Sequence, residues 1–417
     1  MRSRMVAYPQ AAMSAPRITR VKAARSTARG VRLGALTGEW LAALGLLLTA
    51  CSQPTPEDGL ARVLAVIPVH ATPSAGLDGD SSAIWIPSDL DGSISRVDPL
   101  TNQVSATIQL ARSRSCTLCW GAVATHAGSV WATSSGARLA LLGIDPLSNQ
   151  VSTSVPLPIF PSAVMSSSDG MLWVASVLDS AVVRFDPATR QVQARISVPR
   201  PSRLAAGEAT VWVISIPDDA PDGRVVGIDA RTDQVVASVE VGVQPTAIAF
   251  GEDSVWVVDE GTQRLQRIDP HSNAVVASIP VGFLPTGVAV SSGSVWVVSL
   301  SAPGVDGPAL SRIDPATNTN LGSISLGHGA PTGLTVGAGS LWVATRNPDT
   351  VVRVQASGNA AESQPMLLSV VLLAVLVALW TWRQSAHGPR WSRAVSGRQI
   401  LQLRRFSELR GRVDPPR

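Results

Sequence analysis

Three small groups of residues in this sequence have types and spacings that could do chemistry. The first is the pair Cys116 and Cys119, separated by Thr117 and Leu118 and followed by Trp120. A haem attachment site would need His where Trp120 stands, and no second Cys pair completes a zinc site. A local disulfide is the expected state in an oxidising compartment; Arg112 and Arg114 nearby would instead favour a thiolate. The second group is histidine. His126 and His271 read as surface residues, whereas His70 and His328 fall in connections that could face each other. The third is acidic: Asp218, Asp219 and Asp222 lie in one Pro- and Gly-bounded run, and Asp306 in another. The spacing of the first three fits no EF-hand. Ligand binding is therefore expected at Asp218, Asp219, Asp222, Asp306, His70 and His328. No nucleophile elbow, P-loop or zinc-protease motif is present, so no catalytic residue, metal or cofactor is assigned.

A repeat must position these residues. Trp accounts for 12 residues and Tyr for one, which suggests a single Trp position copied many times. Trp85, Trp131, Trp173, Trp212, Trp256, Trp296 and Trp342 recur at intervals of 39 to 46 residues. The clearest unit starts Pro285-Thr286-Gly287-Val288-Ala289-Val290 and continues through Ser294-Val295-Trp296-Val297-Val298. It then passes Leu310-Ser311-Arg312-Ile313-Asp314-Pro315 and ends in Leu321-Gly322-Ser323-Ile324-Ser325-Leu326. Each unit holds four runs of strand-like periodicity, split by Gly, Asp-Pro or Pro-Thr. One four-stranded sheet cannot cover both its faces, but radial packing of such sheets does. The repeat thus predicts an all-β, seven-bladed β-propeller of four-stranded blades. The Asp of each Asp-Pro step (Asp98, Asp145, Asp186, Asp269 and Asp314, with Asp229 a variant) should accept from turn amides. The Pro-Ser/Thr step before each inner strand reads as a second turn device.

The last unit lacks the Asp-Pro turn, with Gln355 in place of Asp, and lacks a fourth strand. The missing strand matches Val63-Leu64-Ala65-Val66-Ile67-Pro68-Val69, so an N-terminal strand is expected to close the ring. Loop lengths differ among the units. From Trp to Asp there are 13 residues in the first, third and fifth units, 17 in the fourth and 18 in the sixth. The extra residues fall in 217–223 and 301–308, between second and third strands. These loops share a face with the outer-to-inner connections that hold the Cys pair, His70 and His328.

The pattern Ser294-Val295-Trp296-Val297-Val298, Arg312-Ile313-Asp314-Pro315 and Val275-Val276-Ala277-Ser278-Ile279-Pro280-Val281-Gly282 resembles YVTN-type propeller repeats. It is also similar to virginiamycin B lyase-like proteins, and the resemblance covers about residues 60–357. It implies a seven-bladed ring. In the lyases it implies acidic and His residues with a magnesium ion at the ring mouth, an acid commonly falling three residues after the Trp. The corresponding positions here are Ser88, Ser134, Ser176, Ser215, Asp259, Ser299 and Thr345, so only Asp259 keeps the acid.

The ends of the chain read differently from the ring. Residues 1–51 look like a leader: Arg29 and Arg32, an apolar run from Leu41 to Leu48, then Leu48-Thr49-Ala50-Cys51. Cys51 is the expected lipidation site, the alternative being an uncleaved anchor. Residues 366–382 form a second apolar run reaching about 26 Å, near the thickness of a hydrocarbon core, and read as one C-terminal transmembrane helix. Residues 383–417 carry nine Arg against two acids, which places this basic tail in the cytoplasm and the propeller (60–357) outside. Residues 1–50 and 383–417 each carry +7, while the remainder holds 17 basic and 27 acidic residues. The acidic body excludes a nucleic-acid partner. The expectation is a membrane-anchored, monomeric, non-catalytic scaffold for a protein or envelope ligand. Its alternatives are a metal-dependent lyase- or lactonase-like enzyme at the ring mouth and a membrane-anchored ligand sensor.

Overall fold

Val- and Ile-rich runs alternating with Gly, Pro and Asp leave the chain little choice but short strands and tight turns. The computed structural model describes residues 59–356, apart from residue 71, residues 111–120, residues 135–138, and residues 219 and 221. Within them the strands form seven four-stranded antiparallel sheets, six of them sequential meanders. Innermost strands of successive sheets touch one another around a ring, and Ala330–Gly337 of the seventh meets Asp78–Gly79 of the first. This is a seven-bladed β-propeller. The expected strap is present: Ala61–Pro68 pairs with Thr350–Ala356 as the outer strand of the seventh blade, Val66 opposite Val352.

The core lies in the seams between blades. Each repeated Trp sits in a second strand and packs with residues of the next blade. Trp296 lies with Leu341 and Val343, Trp342 with Ile84 and Ile86, and Trp85 with Val130 and Ala132. All seven are nearly or fully buried.

Arginines lock these seams. Arg96, Arg267, Arg312 and Arg353 stack over Trp85, Trp256, Trp296 and Trp342 at 5.1 to 5.6 Å. Most then reach the Asp turn of the next blade. Arg96 donates to Pro146 O and Asn149 Oδ1, Arg267 to Pro315 O and Asn318 Oδ1, and Arg353 to Pro99 O and Asn102 Oδ1. Arg184 similarly pairs with Asp233 at 3.0 Å.

The Asp turns behave as the sequence suggests. Asp98, Asp145, Asp186, Asp229, Asp269 and Asp314 each accept from the amide two residues on, at 2.7 to 2.9 Å. The residue four after each Asp has φ between 53° and 60°, and it is Asn in four of the six turns. The Pro-Ser/Thr step differs from expectation. In the fourth to seventh blades it lies inside the inner strand, at a β-bulge, because Pro without an N–H is tolerated where the ladder is broken.

The leader 1–51 with Cys51, the pair Cys116 and Cys119, the apolar run 366–382 and the tail 383–417 lie outside the described residues. Among the described residues, no helix is long and apolar enough to cross a membrane.

Candidate functional site

In an antiparallel meander the turns between second and third strands emerge at the end where the first strand begins. At that end the inner strands surround a channel of about 1090 Å³. Its wall includes Asp89, Arg200, Arg203, Thr246, Thr286, Thr332 and Arg346, with Asp78 and Thr125 on the inner strands of the first and second blades.

Several wall residues are fixed by partners from distant parts of the chain. Arg346, at the end of the seventh blade's second strand, forms an ion pair with Asp89 of the first blade and donates Nε to Pro73 O at 3.1 Å. Arg200 pairs with Asp218 on the fourth blade's long loop. Thr246 Oγ1 donates to Pro285 O at 3.1 Å across a seam, and Thr332 Oγ1 to Ala344 O at 3.3 Å. Asp78 accepts from the Thr125 amide and hydroxyl at 2.8 and 3.0 Å. Burial nevertheless pushes its carboxyl above the usual carboxylate range.

Of the positions three after each Trp, Ser88, Ser176, Ser215, Asp259 and Thr345 hold loops, whereas Ser299 Oγ is buried without a hydrogen-bond partner. Asp259 is fully buried and accepts from Gln244 N at 2.9 Å, Gly261 N at 3.1 Å and Thr262 Oγ1 at 2.5 Å. Space for it depends on Gly242, where a Cβ would stand 2.0 Å from Asp259 Oδ2. Ser176 Oγ donates to Asp179, Ser215 Oγ to Pro199 O, and Thr345 Oγ1 lies 2.6 Å from Thr350 Oγ1. The one acid retained from the lyase-like pattern is therefore spent in tying the second-to-third-strand turn to the incoming connection.

The remaining candidates are dispersed. His70 is exposed, with Nε2 4.0 Å from Asp91 Oδ2, and His328 is exposed on the connection into the seventh blade. Asp218 is held by Arg200, Asp222 is half-buried, Asp306 is exposed, and Asp219 lies outside the described residues. Among the described residues no three His, Cys, Asp or Glu side chains gather as a metal site. His271 is exposed as expected, with Asp269 beside it. His126 is not a free surface residue: it is half-buried and its Nδ1 lies 2.9 Å from Ser166 Oγ, because its strand lies against that of the next blade.

Arg203 escaped the sequence reading, although a signal for it exists. Pro201-Ser202-Arg203 aligns with Pro161-Ser162-Ala163, Pro245-Thr246-Ala247, Pro285-Thr286-Gly287 and Pro331-Thr332-Gly333, and only it ends in a charge.

No family model matches the sequence, and no curated protein matches it. Solved structures do resemble its fold. A streptogramin B lyase matches with a TM-score of 0.57 at 14% identity, over 70% of this chain and 97% of that one. Virginiamycin B lyase from Staphylococcus aureus matches with 0.56 at 15% identity, over 70% and 98%. Hydrazine synthase from Kuenenia stuttgartiensis matches with 0.56 at 14% identity, over 68% and 97%. The ring is thus a virginiamycin B lyase-like seven-bladed propeller in fold. Such folds host unrelated functions.

Proposed function

We propose that this ring is a non-catalytic, extracytoplasmic binding module, held at a membrane, that engages a protein or envelope ligand through its long-loop face. The carrying observation is the asymmetry between the two faces. One is built from six near-identical Asp turns. The other bears the unequal loops 217–223 and 301–308, with Asp218, Asp219, Asp222 and Asp306, and the connections with His70 and His328. Loops that vary on a rigid ring are where binding usually resides. The alternative of a metal-dependent lyase- or lactonase-like enzyme would need an acid free to act, and Asp259 is held by three donors.

The test is capture from envelope extracts by the full chain in mild detergent. The control carries Asp218→Asn, Asp219→Asn and Asp222→Asn with residues 301–308 shortened. A partner held by the native chain and lost by the control supports the reading. Equal capture by both rejects this face as the site. Metal-dependent opening of a cyclic ester, lost on changing His70, His328 or Asp259, would replace the reading with the enzymatic one.

A further inference from the structure

The inner strand of the fourth blade departs from its own repeat at one position. Cross-strand register places Arg203 opposite Ile214, just past the bulge. The same slot holds Ala163 opposite Ala175, Ala247 opposite Val258, Gly287 opposite Val298 and Gly333 opposite Ala344. The slot is cramped in the sixth and seventh blades. A Cβ at Gly287 would stand 2.9 Å from Val298 Cγ1 and 3.0 Å from Leu334 Cβ, and one at Gly333 would stand 2.8 Å from Ala75 Cα. Close packing there calls for small side chains. An arginine in that slot runs against the packing rule, so folding supplies no reason for it.

Electrostatics sharpen the anomaly. The other two guanidinium groups on the channel wall have carboxylate partners, Asp89 for Arg346 and Asp218 for Arg200. Arg203 has no such partner among the described residues; its one hydrogen bond runs from Nη1 to Ser202 O at 3.4 Å. Burial pulls its pKa below the usual arginine value, and the charge of Asp89 opposes this only in part. Arginine keeps its proton in such settings, so the site holds a positive charge whose opposing carboxylate, Asp89, is already paired with Arg346.

We propose that the channel mouth binds a small oxyanion, a carboxylate or phosphate group, through the Arg203 guanidinium. The planar fork of donors on arginine matches the oxygen spacing of both groups. The channel volume of about 1090 Å³ admits an organic molecule around that group. Arg346 offsets the negative charge of Asp89 at this end. The site lies inside the ring, so it stands or falls independently of a partner on the loops.

The test is titration calorimetry on the full chain with inorganic phosphate and, in a separate arm, with succinate, at ionic strength held constant with sodium chloride. At least one anion should bind the native chain and bind Arg203→Ala at least tenfold more weakly. Binding of phosphate alone or of succinate alone supports the site and identifies the group it takes. Arg203→Ala should melt no lower than the native chain, since Ala fills the equivalent slot in other blades. Arg203→Gln removes the charge while keeping most of the bulk, and it serves if the Ala variant is unstable. Arg264→Ala, on a half-buried third-strand arginine that hydrogen-bonds to Ser278 and does not line the channel, should bind as the native chain does. No binding of either anion, or equal binding by the native chain and both Arg203 variants, would overturn the proposal.

Discussion

The Asp-turn carboxylates owe their protonation behaviour to the donors around them. Turn-amide hydrogen bonds hold Asp145, Asp229, Asp269 and Asp314 below the usual carboxylate range, and Thr189 does so for Asp186. A folded-state pKa below the unfolded one means the folded ring binds these protons less readily than the unfolded chain. The resulting stability is fully present above the unfolded value, near 4, and is lost as pH falls through the folded values. The melting temperature should therefore stay flat from neutral pH to about 5 and fall below about 4. Replacing these five Asp by Asn should flatten that acid limb, which melting curves across pH would show. The positions of these Asp residues were legible because each is followed by Pro or Ala and a hydroxyl residue. Where an Asn ends the turn it was equally visible, but at Asn149 and Asn318 its second task, accepting from an arginine of the preceding blade, depends on a contact some 50 residues away.

At the scale of the element, the N-terminal strap carries more than its length suggests. Its inward residues Ala61 and Ile67 are buried, and Val63 and Ala65 pack against neighbouring clusters, while Leu64 and Val66 stay exposed. Without it, Thr350–Ala356 would become an open edge and two seams would lose apolar cover. Deleting residues 60–69 should lower the melting temperature sharply and expose dye-binding apolar surface. An unchanged melt would mean that the ring closes without the strap. This element could be read from sequence because a missing fourth strand at one end matched a spare strand at the other. The first blade was harder to read, since its inner strand is only Asp78–Gly79, too short for alternation to register.

For the molecule as a whole, the question is how a chain of local meanders becomes a ring. The closing seam is Velcro-like in having two parts, the strap and the Arg353 bridge. Arg353 stacks on Trp342 of its own blade and donates to the Asp turn of the first blade, 251 residues away. Arg353→Ala removes one cation–π contact and hydrogen bonds to the turn, and should cost about 2–4 kcal/mol. Urea denaturation would show this as a lower midpoint, whereas an exposed control such as Arg195→Ala should change it little. A midpoint unchanged by Arg353→Ala would assign closure to the strap and the apolar seam alone.

The sequence by itself determined the number of blades, the place of each Trp and Asp, the strap and the unequal loops. These follow from local periodicity and turn chemistry, which act over a few residues and repeat seven times. What only the tertiary structure decided is which side chains meet across the channel. Asp259 became a buried tie, Asp89 found Arg346, and Arg203 was left without a carboxylate of its own among the described residues, because ring closure brings together strands from distant blades. Charges that meet through closure leave no periodic trace, so their pairing becomes visible only when the ring is complete.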